Sequence, residues 1–235
     1  MVGLGPGGEA TLTPQAKEAL LQAEVVVGYT TYLKLIEPLI ADKVIIASGM
    51  KKETDRARAA VAEALTGKHV AVVSSGDPGV YGMAGPVLEV APPGLAVYVI
   101  PGVTVATAAA ALLGAPLTHD FAVISLSDLL TPWETIARRL AAAAEADFVL
   151  VLYNPRSKGR ADHLQKALEI IMRHRDISTP VGIVKDCGRA KEKQIISTLA
   201  LLSPQDVDMT TTVVVGNSQT KLVHGRMVTP RGYRL

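Results

Sequence analysis

Between Val72 and Gly82 the chain reads Val-Val-Ser-Ser-Gly-Asp-Pro-Gly-Val-Tyr-Gly, an order that few folds accept. β-branched residues favour a pleated, buried strand, and the small residues, proline and glycines behind them stop it abruptly. The pattern predicts a buried parallel strand opening into a loop at its carboxyl end, the edge where open α/β sheets bind ligands. Gly76 and Gly79 let backbone approach a ligand without Cβ interference, and Pro78 stiffens the turn. Asp77 is the only charge from Ala71 to Met83. Burying a carboxylate unpaired is costly, so it must be hydrogen-bonded or matched to a polar or cationic ligand. A second reading stands level with that one: Asp77 as the N-cap of a following helix.

A chain of 235 residues, 49% of them hydrophobic, fills one or two cores. Aromatic residues are only 4%, so those cores are built from Ala, Val, Leu and Ile. The formal net charge of +2 comes from 24 basic and 22 acidic residues, well mixed, which leaves no electrostatic footprint for nucleic acid. Arg156, Lys158 and Arg160 form a local basic cluster suited to an acidic ligand. Cys187 is the single cysteine, which excludes an internal disulfide and fits a reducing cytoplasm. Met1 leads into an apolar strand with no basic signal-type segment. The most hydrophobic stretch, 103–117, is short of a bilayer span and ends at Gly114 and Pro116. A cytoplasmic protein with no membrane partner is expected.

Read in order, Val2–Gly8 is a short strand and a glycine loop, and Thr13-Pro14 supply an N-cap and first-turn proline for a helix to about Ala23. Gly3, Gly5 and Gly8 satisfy the spacing G-x-G-x-x-G, but that dinucleotide fingerprint needs an acidic residue about 20 positions on. Gly28 and Tyr29 stand there instead. A strand over Glu24–Tyr29, a helix over Thr31–Leu39, a strand over Lys43–Ala47 and a helix over Glu53–Thr66, capped by Gly67, follow. Beyond the strand at Val70–Ser74 the pattern gives a helix over Tyr81–Val90 bent at Pro86, a strand over Ala96–Ile100, and an apolar helix over Val105–Leu113 that must be buried. Gly114–Asp120 combines Gly, Pro and polar residues and reads as a boundary between domains 1–115 and 116–235. The second half predicts strands over Phe121–Leu126, Asp147–Tyr153, Val181–Val184, Gln194–Leu199 and Thr211–Gly216. Its helices are Pro132–Glu145, behind a Thr131 N-cap, and Arg160–His174, with the tail Met227–Leu235 closing the chain. Fewer helices between strands there predict a mixed sheet, against a mostly parallel one in the first half. The fold class is α/β, in two domains.

Five strand-ending loops carry small, approachable residues: 3–8, Ser75-Gly76-Asp77, Pro101–Thr104, Tyr153-Asn154-Pro155 and Thr211-Thr212. Such loops from two domains are expected to converge on a cleft. There is no His/Cys cluster at metal spacing, so no protein-bound metal is expected. No Gly-x-Ser-x-Gly elbow or Walker motif appears, and no serine or threonine has an evident base partner. What remains is a reaction catalysed mainly by positioning.

The combination of Val-Gly-Leu-Gly-Pro-Gly at 2–7, Ser-Gly-Asp-Pro-Gly-Val-Tyr-Gly at 75–82, Pro-Gly-Val-Thr at 101–104 and the Gly114–His119 hinge resembles the tetrapyrrole methylases. Three longer stretches, Ile124–Trp133, Leu152–Ser157 and Val215–Thr220, resemble the precorrin-3B C(17)-methyltransferases of cobalamin biosynthesis, including the cobalt-factor III branch. The tail Met227–Tyr233 is similar to that subfamily too. The loop Gly7-Gly8-Glu9-Ala10-Thr11 departs from it by carrying fewer acidic and polar residues.

The resemblance implies two α/β domains with S-adenosylmethionine between them and a homodimeric assembly. It implies cofactor contacts from Pro6, Ser75, Gly76, Asp77, Val80, Thr104, Val105 and Tyr153, and less securely from Cys187, Thr211 and Thr212. Cys187 taken alone reads as a small buried hydrophobe. Gly5, Gly7, His119 and Arg156 fall on the substrate side, although His119 also reads as a hinge hydrogen-bonder and Arg156 as part of a solvated turn. The implied reaction methylates C-17 of the tetrapyrrole and contracts the macrocycle, extruding C-20. Ser125, Ser127, Asp128 and Thr131 are the polar cluster expected beside the macrocycle; Ser127 and Asp128 read equally as caps of the helix that starts near Pro132. Cobalt enters only as part of the substrate. Another tetrapyrrole or diphthine-type methylase, or a nonenzymatic tetrapyrrole carrier, are the rival readings.

Overall fold

A computed structural model describes residues 1–157, 159, 161–203 and 207–234. It divides into two compact units, Met1–Val105 and Ala106–Leu235. The first contains β1 (Val2–Gly3), α1 (Pro14–Gln22), β2 (Val25–Tyr29), α2 (Thr30–Leu33), β3 (Val44–Ser48), α3 (Glu53–Leu65), β4 (Val70–Ser74) and α4 (Ala84–Val90). Its sheet has the order β1-β4-β2-β3, and every pairing is parallel. Strand side chains alternate faces, and β2 shows how the run Val25-Val26-Val27 becomes the centre of a three-layer unit. Val26 packs with Leu20, Leu33 and Ile40 on one face. Val25 and Val27 pack with Ala57, Val61 and Val87 on the other. All three valines are fully buried. The Thr13 hydroxyl accepts from Ala16 N–H at 3.1 Å, and Pro14 opens the helix, as the sequence pattern predicts.

Three expectations in this unit are corrected. Residues 96–100 form no strand: a single bridge joins Val2 to Ile100, with hydrogen bonds Gly3 N–H to Ile100 O (3.0 Å) and Ile100 N–H to Met1 O (2.8 Å). β1 is two residues long, so its free side offers too little ladder, and Pro92, Pro93 and Pro101 bracket the segment. The helix expected over 31–39 is one α-turn followed by a 3₁₀ turn at Glu37–Leu39, because Pro38 has no N–H to continue the ladder. The helix expected from Tyr81 starts at Ala84. Pro86 therefore lies in its first turn, where a missing N–H costs nothing and causes no bend.

The second unit carries α5 (Val105–Leu113), β5 (Gly114–Ala115), β6 (Phe121–Ser125), α6 (Trp133–Glu145), β7 (Val149–Tyr153), α7 (His163–Ile171), β8 (Pro180–Lys185), β9 (Lys193–Thr198), β10 (Thr211–Val215), β11 (Lys221–Val223) and β12 (Arg226–Val228). The five-stranded sheet β6-β7-β10-β8-β9 is mixed: β6 and β7 are parallel, while β10 runs antiparallel to β7 and β8, and β9 to β8. Its core joins Leu150, Leu152, Val213 and Val215 to Ile136, Leu140, Leu164 and Ile171 of α6 and α7. The stretch expected to separate domains lies inside this unit: Gly114–Ala115 is β5, paired in parallel with β12 of the β11–β12 hairpin. α5 buries only one face, through Ala106, Ala109, Ala110 and Leu113; Thr107 and Ala111 are exposed. Small apolar residues all round did not require burial all round. Arg160, where helix α7 was expected to begin, and Leu235 lie outside the described residues. No helix among the described residues is long and apolar enough to cross a membrane.

Candidate active site

In the first unit three strand-end loops meet backbone to backbone. Gly5 and Gly76 exchange hydrogen bonds (Gly5 N–H to Gly76 O, 3.1 Å; Gly76 N–H to Gly5 O, 2.7 Å). A Cβ on Gly3 would lie 2.5 Å from Gly102 N, and one on Gly102 would lie 2.2 Å from Gly76 O. These glycines are therefore needed for the chain to approach itself. Asp77 completes the junction. Its Oδ1 accepts from Gly79 N–H at 2.8 Å and its Oδ2 from Gly102 N–H at 3.0 Å. The capping alternative for Asp77 fails, since α4 begins seven residues later with Met83 as its cap and no side-chain bond there. Gly76 itself is left-handed (φ +69°), and a Cβ there would find nothing nearer than 3.9 Å, at Thr104 Cα and Val105 N. An added Cβ at Gly76 would thus meet backbone of Thr104 and Val105 at ordinary contact distance, with Ser75 and Val80 half-buried nearby in sequence. Gly5, Pro6 and Gly7 are buried, and the Thr11 hydroxyl bonds the carbonyls of Gly7 (2.7 Å) and Gly8 (3.2 Å), closing that loop on itself.

In the second unit the strand directions bring most of the expected residues to one sheet edge. Leu152 pairs with Val213 and Lys185 with Thr211, so Tyr153, Lys185 and Thr211-Thr212 share the edge that also receives Ser125, which pairs with Tyr153. The Tyr153 hydroxyl oxygen accepts from Ala106 N–H at 2.9 Å and so caps the first turn of α5. Thr211 and Thr212 are buried, and Thr211 Oγ1 both donates to Asp208 Oδ1 and accepts from Asp208 N–H, each at 3.0 Å. Burial alone would raise the Asp208 carboxyl, but hydrogen bonds from Lys185, Thr210 and Thr211 outweigh it and bring the pKa down to about 2. Cys187 follows β8, buried at 5% exposure. Desolvation, with a smaller push from Glu192 against Arg189, raises its thiol to about 11, so it stays protonated and unreactive at neutral pH. Arg156 is half-buried beyond β7; Lys158 and Arg160 of the expected basic cluster lie outside the described residues. His119 stands apart. It lines a cavity of about 310 Å³ with Asp120, Asn217 and Arg231 at the opposite edge, roughly 20 Å from Ser125 at strand rise.

Pro132 occupies the N-cap position of α6 and makes no side-chain cap bond, so the cap falls one residue beyond the expected Thr131. Ser125 Oγ accepts from Ser127 N–H (3.2 Å) and from Asn154 Nδ2 (3.0 Å). Asp128 Oδ2 lies 3.6 Å from Nε2 of His163, a residue that sequence reasoning passed over. His163 is buried, with Nδ1 2.9 Å from Leu126 O and its ring 4.7 Å from that of Trp133. Only its place in an apolar helix face, at the end of a polar loop, marked it in the sequence. Asn154, in the left-handed region at φ +52°, was likewise passed over.

Glycine loops at the parallel strand ends of the first α/β unit, and a polar cluster at one end of the sheet in the second, mark a ligand-binding enzyme of the α/β class. The profile of the tetrapyrrole (corrin/porphyrin) methylases matches residues 1–202. A Salmonella typhimurium protein named probable cobalt-factor III C(17)-methyltransferase is 50% identical over 238 residues, covering 100% of this chain and 99% of its own. The cobalt-factor III methyltransferase of Priestia megaterium is 45% identical over 241 residues, 100% of this chain but 45% of its own. The crystal structure of the methyltransferase CobJ matches with a TM-score of 0.93 at 38% identity, over 97% of this chain and 98% of that one. Uroporphyrin-III C-methyltransferase from Thermus thermophilus, complexed with S-adenosylhomocysteine, matches at 0.67 and 25% identity over 92% and 95%. The chain belongs to the tetrapyrrole methylase family, and it is a methyltransferase.

Proposed function

We propose that this enzyme transfers the methyl group of S-adenosylmethionine to C-17 of cobalt-factor III or precorrin-3B, with contraction of the macrocycle to the precorrin-4 level, in cobalamin biosynthesis. The observation that carries the reading is full-length likeness to the Salmonella protein at 50% identity, joined to the glycine loops that meet at parallel strand ends. S-adenosylmethionine, when bound, supplies an electrophilic methyl group on a sulfonium. Backbone at Gly76, Thr104 and Val105 offers close approach to that group, with buried Pro6 and half-buried Ser75 and Val80 as its walls. Asp77 holds the loops at fixed spacing and contributes negative charge near a cation. Tyr153, Cys187, Thr211 and Thr212 supply further contacts, with Cys187 acting as an apolar wall.

On the substrate side, Gly5, Gly7 and Arg156 meet the tetrapyrrole, Arg156 as a partner for peripheral carboxylates. Holding the carbon about 3–3.5 Å from the methyl group supplies several kcal/mol of the barrier without a covalent intermediate. Ser125, Ser127, Asp128 and Thr131 serve proton transfer during contraction. The lone thiol favours a cytoplasmic location, and exposed apolar residues such as Val44, Ile45, Tyr98 and Val99 favour a homodimer.

Labelled-methyl transfer to each of the two substrates, with the product followed by absorption and carbon NMR, tests the assignment. Turnover of neither substrate overturns it, and binding of macrocycle without release of S-adenosylhomocysteine would make the chain a carrier. Light scattering at micromolar concentration tests the dimer, a mass near 24.7 kDa counting against it.

A further inference from the structure

We infer that His163 is the positioning residue of a two-member proton relay, with Asp128 as the group that meets the macrocycle. The inference rests on the proposed C-methylation. A carbonyl oxygen can only accept, so the 2.9 Å contact with Leu126 O fixes the proton of neutral His163 on Nδ1. Nε2 is then a bare lone pair, directed at Asp128 Oδ2 3.6 Å away. The imidazole side chain is 9% exposed and that of Asp128 42%, so one end of the pair is sheltered and the other meets solvent or substrate. Trp133 covers the ring at 4.7 Å. Among the described residues, charged neighbours of His163 on its own helix are Asp162 and Lys166. They are bound to each other at 2.5 Å, and the Lys166 ammonium lies 6.0 Å over the Trp133 ring.

The proton count explains what such a pair is for. The methyl group leaves sulfur without the C–S electron pair, and the macrocycle supplies the pair for the new C–C bond. The macrocycle must then shed one proton, keeping the electrons of the broken N–H, O–H or C–H bond. Asp128 takes that proton and Nε2 receives it, forming an imidazolium–carboxylate pair that draws closer than 3.6 Å. Asp128 then returns one proton to water. The relay ends as it began.

His163→Asn and His163→Gln separate the roles. An Asn amide reaches the Nδ1 position and keeps the Leu126 bond without a group at Nε2, whereas a Gln amide reaches Nε2. With cofactor and macrocycle supplied, the expected result for His163→Asn is a kcat ~10²-fold lower or less still. KM and S-adenosylhomocysteine affinity should stay at parental values, thermal stability should be retained, and the acid limb of the pH profile should vanish. His163→Gln should lose as much, because an amide at the Nε2 position cannot take up a proton, and recovery of the rate there overturns the relay. A parental kcat and pH profile in His163→Asn overturns the relay. A second measurement needs no turnover: nitrogen NMR of histidine-labelled protein without ligands should find neutral His163 protonated on Nδ1. Protonation on Nε2 overturns the relay whatever the substrate proves to be, and failure of the parent enzyme to methylate either macrocycle overturns the proposed reaction separately.

Discussion

Replacing Gly102 by alanine adds one methyl group at the point where three loops touch. The new Cβ would sit 2.2 Å from Gly76 O and 2.8 Å from both C and Cα of Gly3. All three are backbone atoms, so no side chain can rotate aside. Carbon contacts settle near 3.5–4.0 Å, which means the loops must part by about 1 Å. Overpacking of this kind costs ~1–3 kcal/mol. The same shift stretches the bond from Gly102 N–H to Asp77 Oδ2, now 3.0 Å, and a hydrogen bond to a charged group is worth ~1.5–3 kcal/mol. Partial loss of that bond brings the expected destabilisation to about 3 kcal/mol, a fall of ~10 °C or more in the melting midpoint for a unit of this size. Urea titration by circular dichroism measures it, and calorimetry should show S-adenosylhomocysteine binding weakened at least tenfold, about 1.4 kcal/mol. Gly85→Ala is the control. It lies in α4 with nothing within 4 Å of the added atom, and should stabilise by ~0.5–1 kcal/mol. A Gly102→Ala protein within 0.5 kcal/mol of the parent would refute the loop junction as described.

Asp77→Ala removes both acceptors that tie Gly79 to Gly102, and S-adenosylhomocysteine should bind substantially more weakly; equal calorimetric affinity removes Asp77 from the site. Native Cys187, with its thiol raised to about 11, should resist iodoacetamide at pH 8, since only roughly one molecule in a thousand carries thiolate there. Labelling as fast as in the unfolded chain would contradict its burial. Asp208 has a folded pKa of about 2 against an ordinary 3.8, so its contribution is fully present above pH ~4 and disappears as pH falls towards 2. Asp208→Asn should be the less stable protein near neutrality and converge with the parent in acid. Parallel acid-unfolding curves would show that the Lys185 pair adds nothing.

What could be read from the sequence was what neighbouring residues decide. The valine run of β2 declared a strand buried on both faces, Thr13-Pro14 declared a helix start, and Gly67, at φ +89°, declared a helix end. The glycine loops were legible as close approaches, but not whose approach. Gly3 and Gly102 serve the chain's contact with itself, while Gly76 is required by its left-handed backbone rather than by crowding. The residues 96–100 have every local mark of a strand, and only the two-residue length of β1 denies them a ladder. His163 was illegible for a similar reason. Its partners, Leu126 and Asp128, come from a loop before α6, and nothing in the spacing announces that they meet. His119, conspicuous in the sequence, sits at the wrong end of β6 to join them.

The pairing of β5 with β12 has a consequence for how the protein is made. Thr118 Oγ1 donates to Thr229 O across 111 residues, and Thr229 N–H bonds Ala115 O at 3.2 Å. At ~5–20 residues per second, a ribosome leaves Gly114 and Ala115 waiting roughly 5–20 s for their partner. The first unit has all of its strands by Val105. A nascent chain should thus carry a finished amino-terminal half ahead of an open carboxyl-terminal one, with the apolar helix α5 exposed between them. Protease applied to chains arrested before and after β12 would time the closure, and equal resistance at both lengths would show that the second unit does not need its final strand.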